Sequence, residues 1–111
     1  NLQAAVAFGM EQGDAWLQPM RTAFVRARDR LSSGLQRSGY RVLPSASTYF
    51  LCVDLSASGI ALDDEEFARL AVERAGVSVI PLSAFYEGAA ARNFVRLCFA
   101  KRDETIDAGI G

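Results

Sequence analysis

From Trp16 onward, apolar side chains return at Met20, Phe24, Ala27, Leu31 and Leu35, one every three or four residues. That spacing lines them along one stripe and predicts a long amphipathic helix. Arg21, Arg26, Arg28, Arg30 and Arg37 fall mostly off the stripe, as on a solvated face. A helix tolerates Pro19 only in its first turn, so regular helix is predicted from near Gln18, with Asp14 to Leu17 as a separate turn. Gly39 supplies a C-terminal stop. Upstream, residues 2 to 10 are a short helix-compatible stretch, broken at Gly13.

Beyond Gly39 the pattern shortens to that of strands. "YRVLP" and "TYFLCVDL" are rich in aromatic and branched residues and are separated by Pro44 and small polar residues, which predicts a hairpin. "ASGIAL" reads as loop. Asp63, with Glu66 three residues on, makes an aspartate version of the capping box ahead of Phe67, Leu70, Ala71 and Ala75 on one helix face, and Gly76 ends that helix. "VSVIP" reads as a short strand, "LSAFYEGAAARN" as a long loop and "FVRLCFA" as the last strand. Asp103 and Glu104 then suit a helix N-terminus. The order predicts an α+β fold in a single domain over residues 1–111: a small, mainly antiparallel sheet with helices packed on one face. The other sheet face is left for something else.

Composition excludes more than it assigns. Half of the 111 residues are hydrophobic, ample for one core. Twelve basic residues against thirteen acidic ones give a net charge of −1 with no basic run, which argues against a nucleic-acid partner. No apolar stretch approaches the roughly 20 residues of a membrane span, and no basic segment precedes a hydrophobic one at the N-terminus. A soluble, unexported protein is expected. Cys52 and Cys98 stand far apart in apolar runs and are expected to be buried free thiols of a reducing cytoplasm. The absence of histidine excludes Ser-His and Cys-His nucleophile pairs and His-ligated metals within this chain. With "LQAAVAF" directly after Asn1, and "IDAGIG" following so soon on "RDETID", the chain reads as a piece of a longer protein.

The chemistry centres on "NFVRLCFAK". On a strand of period two, Val95, Leu97 and Phe99 share a core face while Phe94, Arg96, Cys98 and Ala100 share the other. That second face is apolar, yet it carries a guanidinium whose planar fork suits a carboxylate or phosphate. Periodicity leaves two readings open: an ion pair with one of the chain's own acids, or a ligand anion. Ser47, Thr48 and Tyr49 fit a turn, and Ser83, Phe85 and Tyr86 fit an aromatic loop packed on the core or walling a ligand.

Taken in order, "RARDRLSSGL", "STYFLCVDL", "AGVSVIPLSAFY" and "NFVRLCFAKRDETID" resemble the C-terminal portion of class I/II pyridoxal-phosphate aminotransferases, especially the branch of kynurenine, glutamine and methionine aminotransferases. The resemblance covers nearly the whole chain. It implies that Arg96 grips the α-carboxylate of an amino-acid or 2-oxo-acid substrate, fixing Cα over the cofactor. It also implies that Tyr49 and Phe50 edge the substrate cleft, with Ser83, Phe85 and Tyr86 nearby. An intact enzyme of this kind is implied to be a cytoplasmic homodimer.

Two departures bear on that implication. Ser47 stands where the family commonly has glycine before Thr-Tyr-Phe. Lys101, the chain's one lysine, matches no Schiff-base position. Pyridoxal phosphate, its lysine and its phosphate-binding groups are therefore expected in a large domain missing from this chain, which on its own is expected to be inactive. The related carbon–sulfur β-lyases share this domain, and a free-standing module binding a carboxylate or a protein through its sheet face is the alternative from another class.

Overall fold

The computed structural model describes residues 1–88 and 91–111, so Ala89 and Ala90, in the small-residue stretch after Tyr86, lie outside the described residues. Four strands make one sheet: β1 (Arg41–Val42), β2 (Phe50–Asp54), β3 (Ile80–Pro81) and β4 (Phe94–Cys98), in the order β1-β2-β4-β3. Every neighbouring pair is antiparallel. The expected hairpin forms at Arg41↔Asp54 and Val42↔Val53, and the Leu43 N–H extends the ladder to the Cys52 carbonyl at 2.8 Å. The second strand starts later than "TYFLCVDL" suggests, because Thr48 sits at φ 63° and only Phe50 re-enters extended backbone. β3 is cut to two residues, ending at Pro81, which cannot donate to a ladder and is admitted at a sheet edge. β4 is therefore central. It pairs with β2 along its whole length and with β3 at Ile80↔Arg96.

Four helices accompany the sheet: α1 (Leu2–Glu11), α2 (Leu17–Arg37), α3 (Asp64–Ala75) and α4 (Asp103–Ile110). A single 3₁₀ turn, Asp14–Trp16, precedes α2, so Pro19 falls in the first turn as its chemistry requires. The Asp63 carboxylate accepts the Glu66 N–H at 2.8 Å to open α3, and Gly76, left-handed at φ 66°, closes it. Ala27, Leu31 and Leu35 of α2 meet Leu51, Val53 and Val95 of the sheet, with Phe99, Ile106 of α4, and Phe67 and Ala71 of α3 filling the same layer. The helices thus cover one face, and the α+β architecture is as expected. The predicted stripe is used only from Phe24 onward: Trp16, in the turn before α2, and Met20 are exposed. α1 buries none of its residues, although Leu2, Val6, Phe8 and Met10 are apolar. No helix among the described residues is long and apolar enough to cross a membrane.

The last helix is held to α2 in two ways. At Gly34 the helices approach so closely that an added Cβ would overlap the Ile110 side chain. Beside that contact, Arg30 donates to both carboxylate oxygens of Asp107, at 2.7 and 2.6 Å, and Arg26 donates to Asp103 at 3.3 Å. The hydrogen bonds from Arg30 hold the Asp107 carboxyl below its ordinary value of 3.8.

Gly34→Ala is expected to forfeit the helix-propensity gain of about 1 kcal/mol and to destabilise by about 1 to 3 kcal/mol through overpacking. Adding Ile110→Ala then destabilises less than it does in the wild-type background, a coupling that urea denaturation of both single mutants and the double mutant measures. A second expectation follows from Asp107. Because its folded pKa is depressed, its contribution to stability is fully present above pH 3.8 and is lost as pH falls through the depressed value. Arg30→Gln should remove that acid-side slope from an unfolding series.

Candidate functional site

The face of the sheet turned away from the helices carries Phe50, Cys52 and Asp54 from β2, Phe94, Arg96 and Cys98 from β4, and Ile80 from β3. Arg96 is at its middle, opposite Cys52 on one side and Ile80 on the other. Its guanidinium carbon lies 4.1 Å from the centroid of the Phe50 ring and 4.8 Å from that of Phe85. Both contacts are cation–π in kind. Phe50 comes from the start of β2. Phe85 ends a 3₁₀ turn, Leu82–Phe85, that springs directly from β3.

What Arg96 lacks matters as much. Among the described residues no carboxylate lies within ion-pair distance of it; the ion pairs employ Arg26, Arg28, Arg30, Arg69 and Arg92 instead. Its Nε is buried without a hydrogen-bond acceptor. Aromatic rings offset the charge but accept no directed N–H bonds of the strength a carboxylate does. The arrangement is a cation with an apolar surround and unspent donors, which is what a carboxylate with two oxygens would complete.

The other expected residues fall near this centre in different degrees. Tyr49 packs on Phe50, with ring centroids 4.2 Å apart, and is half exposed. Its carbonyl accepts the Phe99 N–H at 3.0 Å, tying the turn to the end of β4. The positive φ of this turn falls on Thr48 rather than on Ser47, the position where the family commonly carries glycine. A β-branched residue is strained there, and the Ser45 hydroxyl helps hold the turn by donating to the carbonyls of Ser47 and Phe50 at 3.0 and 3.2 Å. The thiols differ from expectation: Cys98 is exposed and Cys52 half-buried, because both point from the open sheet face rather than into the core. Beside Arg96's strand an apolar hollow of about 330 Å³ is bounded by Leu43, Cys52, Leu82, Tyr86, Ala91 and Phe94. A larger cleft, about 800 Å³, lies between α2 and the start of α4 and includes none of Arg96, Phe50 or Phe85.

One residue was not singled out by the sequence. Asp64, the first residue of α3, has no exposed surface. Its carboxylate accepts the Ser83 backbone N–H at 2.8 Å and the Ser83 hydroxyl at 2.9 Å, and its own N–H donates to the Arg92 carbonyl at 2.8 Å. The aspartate beside it, Asp63, carries the capping signal that masks it in the sequence.

Lys101 is exposed past the end of β4 and borders the cleft against α2.

The family model for aminotransferases of class I and II matches residues 1–110. The chain belongs to that family. It is 39% identical, over 97% of its length, to the probable N-succinyldiaminopimelate aminotransferase DapC of Mycobacterium tuberculosis, of which it covers 29%. It is 43% identical over 71% of its length to the methionine aminotransferase of Escherichia coli, covering 20% of that protein. The solved structure of the N-succinyldiaminopimelate aminotransferase from Mycobacterium tuberculosis superposes with a TM-score of 0.87 at 41% identity, over 97% of this chain and 28% of that one. The chain thus spans less than a third of the relatives it matches.

Since Arg96 neutralises no acid among the described residues, Arg96→Met is expected to change the unfolding free energy by less than about 1 kcal/mol, whereas breaking a buried ion pair removes about 3 to 5 kcal/mol. Denaturant melts of the two 111-residue proteins compare the two cases directly.

Proposed function

We propose that this chain is the C-terminal, carboxylate-gripping domain of a pyridoxal-phosphate-dependent aminotransferase that moves an amino group between an α-amino acid and a 2-oxo acid. The observation that carries the reading is Arg96, set at the centre of an open sheet face between two aromatic rings, with a buried unpaired donor and no acid partner among the described residues. Family membership supplies the reaction class. An arginine fork holding both carboxylate oxygens restrains the rotation of the bound acid, and with Phe50 and Phe85 shielding the contact it holds Cα in one place. Confining the reacting groups in this way can lower a barrier by several kcal/mol. Tyr49, packed on Phe50, edges the same cleft and holds the ring that Arg96 faces.

Pyridoxal phosphate, when bound, supplies the electron sink that allows the Cα proton to leave. Its lysine and phosphate contacts belong, on this reading, to a large domain outside the 111 residues, so this chain alone is inactive. The exposed apolar residues of α1 fit a surface that the rest of such an enzyme, or a second subunit of a homodimer, covers. Free Cys52 and Cys98 fit a reducing cytoplasm.

The test is made in the complete enzyme encoded by the reading frame that contains this chain. Arg96→Lys should lower kcat/KM for the amino acid and for the oxo acid by on the order of 10²-fold, the loss of about 3 kcal/mol expected when a two-point charged contact becomes a single one. Transamination that survives Arg96→Lys unchanged would count against the carboxylate grip. Release of pyruvate and ammonia in place of amino transfer would assign the related β-lyase chemistry.

A further inference from the structure

The buried aspartate at the start of α3 has no cation to neutralise it among the described residues and takes no part in the core's apolar packing. A carboxylate without exposed surface is costly unless its oxygens are hydrogen-bonded. Here each oxygen has one donor, and both donors come from Ser83. Their position is informative. Ser83 is the second residue of the turn Leu82–Phe85, and Phe85 closes it with its ring 4.8 Å from the Arg96 guanidinium. The turn begins immediately after β3, whose Ile80 pairs with Arg96 itself. Within the turn, the Tyr86 N–H reaches the Ser83 carbonyl at 3.1 Å. Asp64 is therefore a side-chain anchor that ties the turn to the N-terminus of α3, beside its continuity with β3. Phe85 itself is exposed to solvent on one side, so packing alone does not hold its ring in place.

We propose that the Asp64–Ser83 contact is a latch that positions Phe85 over Arg96 and thereby sets the affinity of the site for a carboxylate. Asp64 and Ser83 are positioning residues, since they act on the site through Phe85. The physical route is desolvation. A ring held against the guanidinium keeps water from its donors, and a carboxylate then replaces no competing water when it binds. With the latch open, Phe85 moves freely, water reaches Arg96, and the same contact is weaker. The proposal rests on the reading of Arg96 as the carboxylate grip.

The test uses the complete enzyme and the 111-residue chain in parallel. In the enzyme, Ser83→Ala removes the hydroxyl donor and is expected to raise KM for the 2-oxo acid about five- to tenfold with kcat within about twofold, the size of one lost hydrogen bond. Ser83→Thr, which keeps the hydroxyl, restores KM. Ser83→Cys, a weaker donor, shows the same split at smaller amplitude and serves if Ser83→Ala does not fold. Ser83→Ala placed on Phe85→Leu has no further effect, because the route through the ring is already gone. A stability loss with KM unchanged, or full additivity with Phe85→Leu, overturns the latch.

In the chain, the Arg96 Nε–H resonance, shifted by the currents of the Phe50 and Phe85 rings, should move on Ser83→Ala and return with Ser83→Thr. An unmoved resonance also overturns the latch. The failure of the underlying reading looks different: there Arg96→Lys leaves KM unchanged while the resonance still responds to Ser83.

Discussion

The guanidinium of Arg96 governs the arrangement around it because it sits in apolar surroundings without a neutralising acid among the described residues. A charge in that position is tolerated only where something offsets its lost hydration. Two aromatic faces do part of this, each contributing on the order of 1 kcal/mol. On the proposed reading the remainder is left to an incoming carboxylate. For that to work, the strand beneath must be rigid, and β4 is an inner strand, paired on both edges, with Val95, and Phe99 just past its end, buried on the opposite side. The helices have their consequence here: by covering one face and leaving the other, they make a firm base for a cation that looks outward.

The two rings reach Arg96 by different means, and the difference explains why the surrounding backbone is unusual. Phe50 arrives from a strand start that follows the left-handed Thr48, a strained residue held by the Ser45 hydroxyl and by the link from Tyr49 to Phe99. Phe85 arrives from a turn anchored on a buried carboxylate. Strain on one side and a buried polar anchor on the other are the features that a fold selected for stability alone tends to lose. Their convergence on one guanidinium is what distinguishes this face from an ordinary exposed sheet surface.

Much of this frame was legible in the chain. The 3.6 period of Phe24, Ala27, Leu31 and Leu35, the aspartate cap at Asp63 and the glycines at 39 and 76 located α2 and α3 because each acts through local geometry. The period-two reading of "FVRLCFA" assigned Arg96 to the open face and Val95 to the core. Less legible were features decided by contacts distant in sequence. Trp16 and Met20 continue the helical stripe, yet no core element reaches that end of α2. Cys98 sits in an apolar run but faces outward with Arg96. Asp64 and Ser83 are 19 residues apart, and neither belongs to a motif that pairs them; only the docking of the turn after β3 on the start of α3 brings them together. The ring of Phe85 was placed near the site by resemblance, since no periodicity connects a loop aromatic to a strand arginine.

A division of labour follows from where these interactions sit. A grip on the α-carboxylate recognises what every α-amino acid and 2-oxo acid has in common, so it needs no knowledge of the side chain. Relatives named for N-succinyldiaminopimelate, methionine and kynurenine all align with this one chain, at 27 to 43% identity. Side chains that differ by small apolar groups are separated by only about 1 to 3 kcal/mol in a well-fitted pocket, and such a pocket needs walls on several sides. On the proposed reading the open face supplies one wall, made of Phe50, Phe85 and the hollow beside Cys52 and Phe94. On the proposed reading, the common end of the substrate is therefore fixed by this domain, and its distinguishing end is judged by surfaces that close over the sheet from the rest of the enzyme.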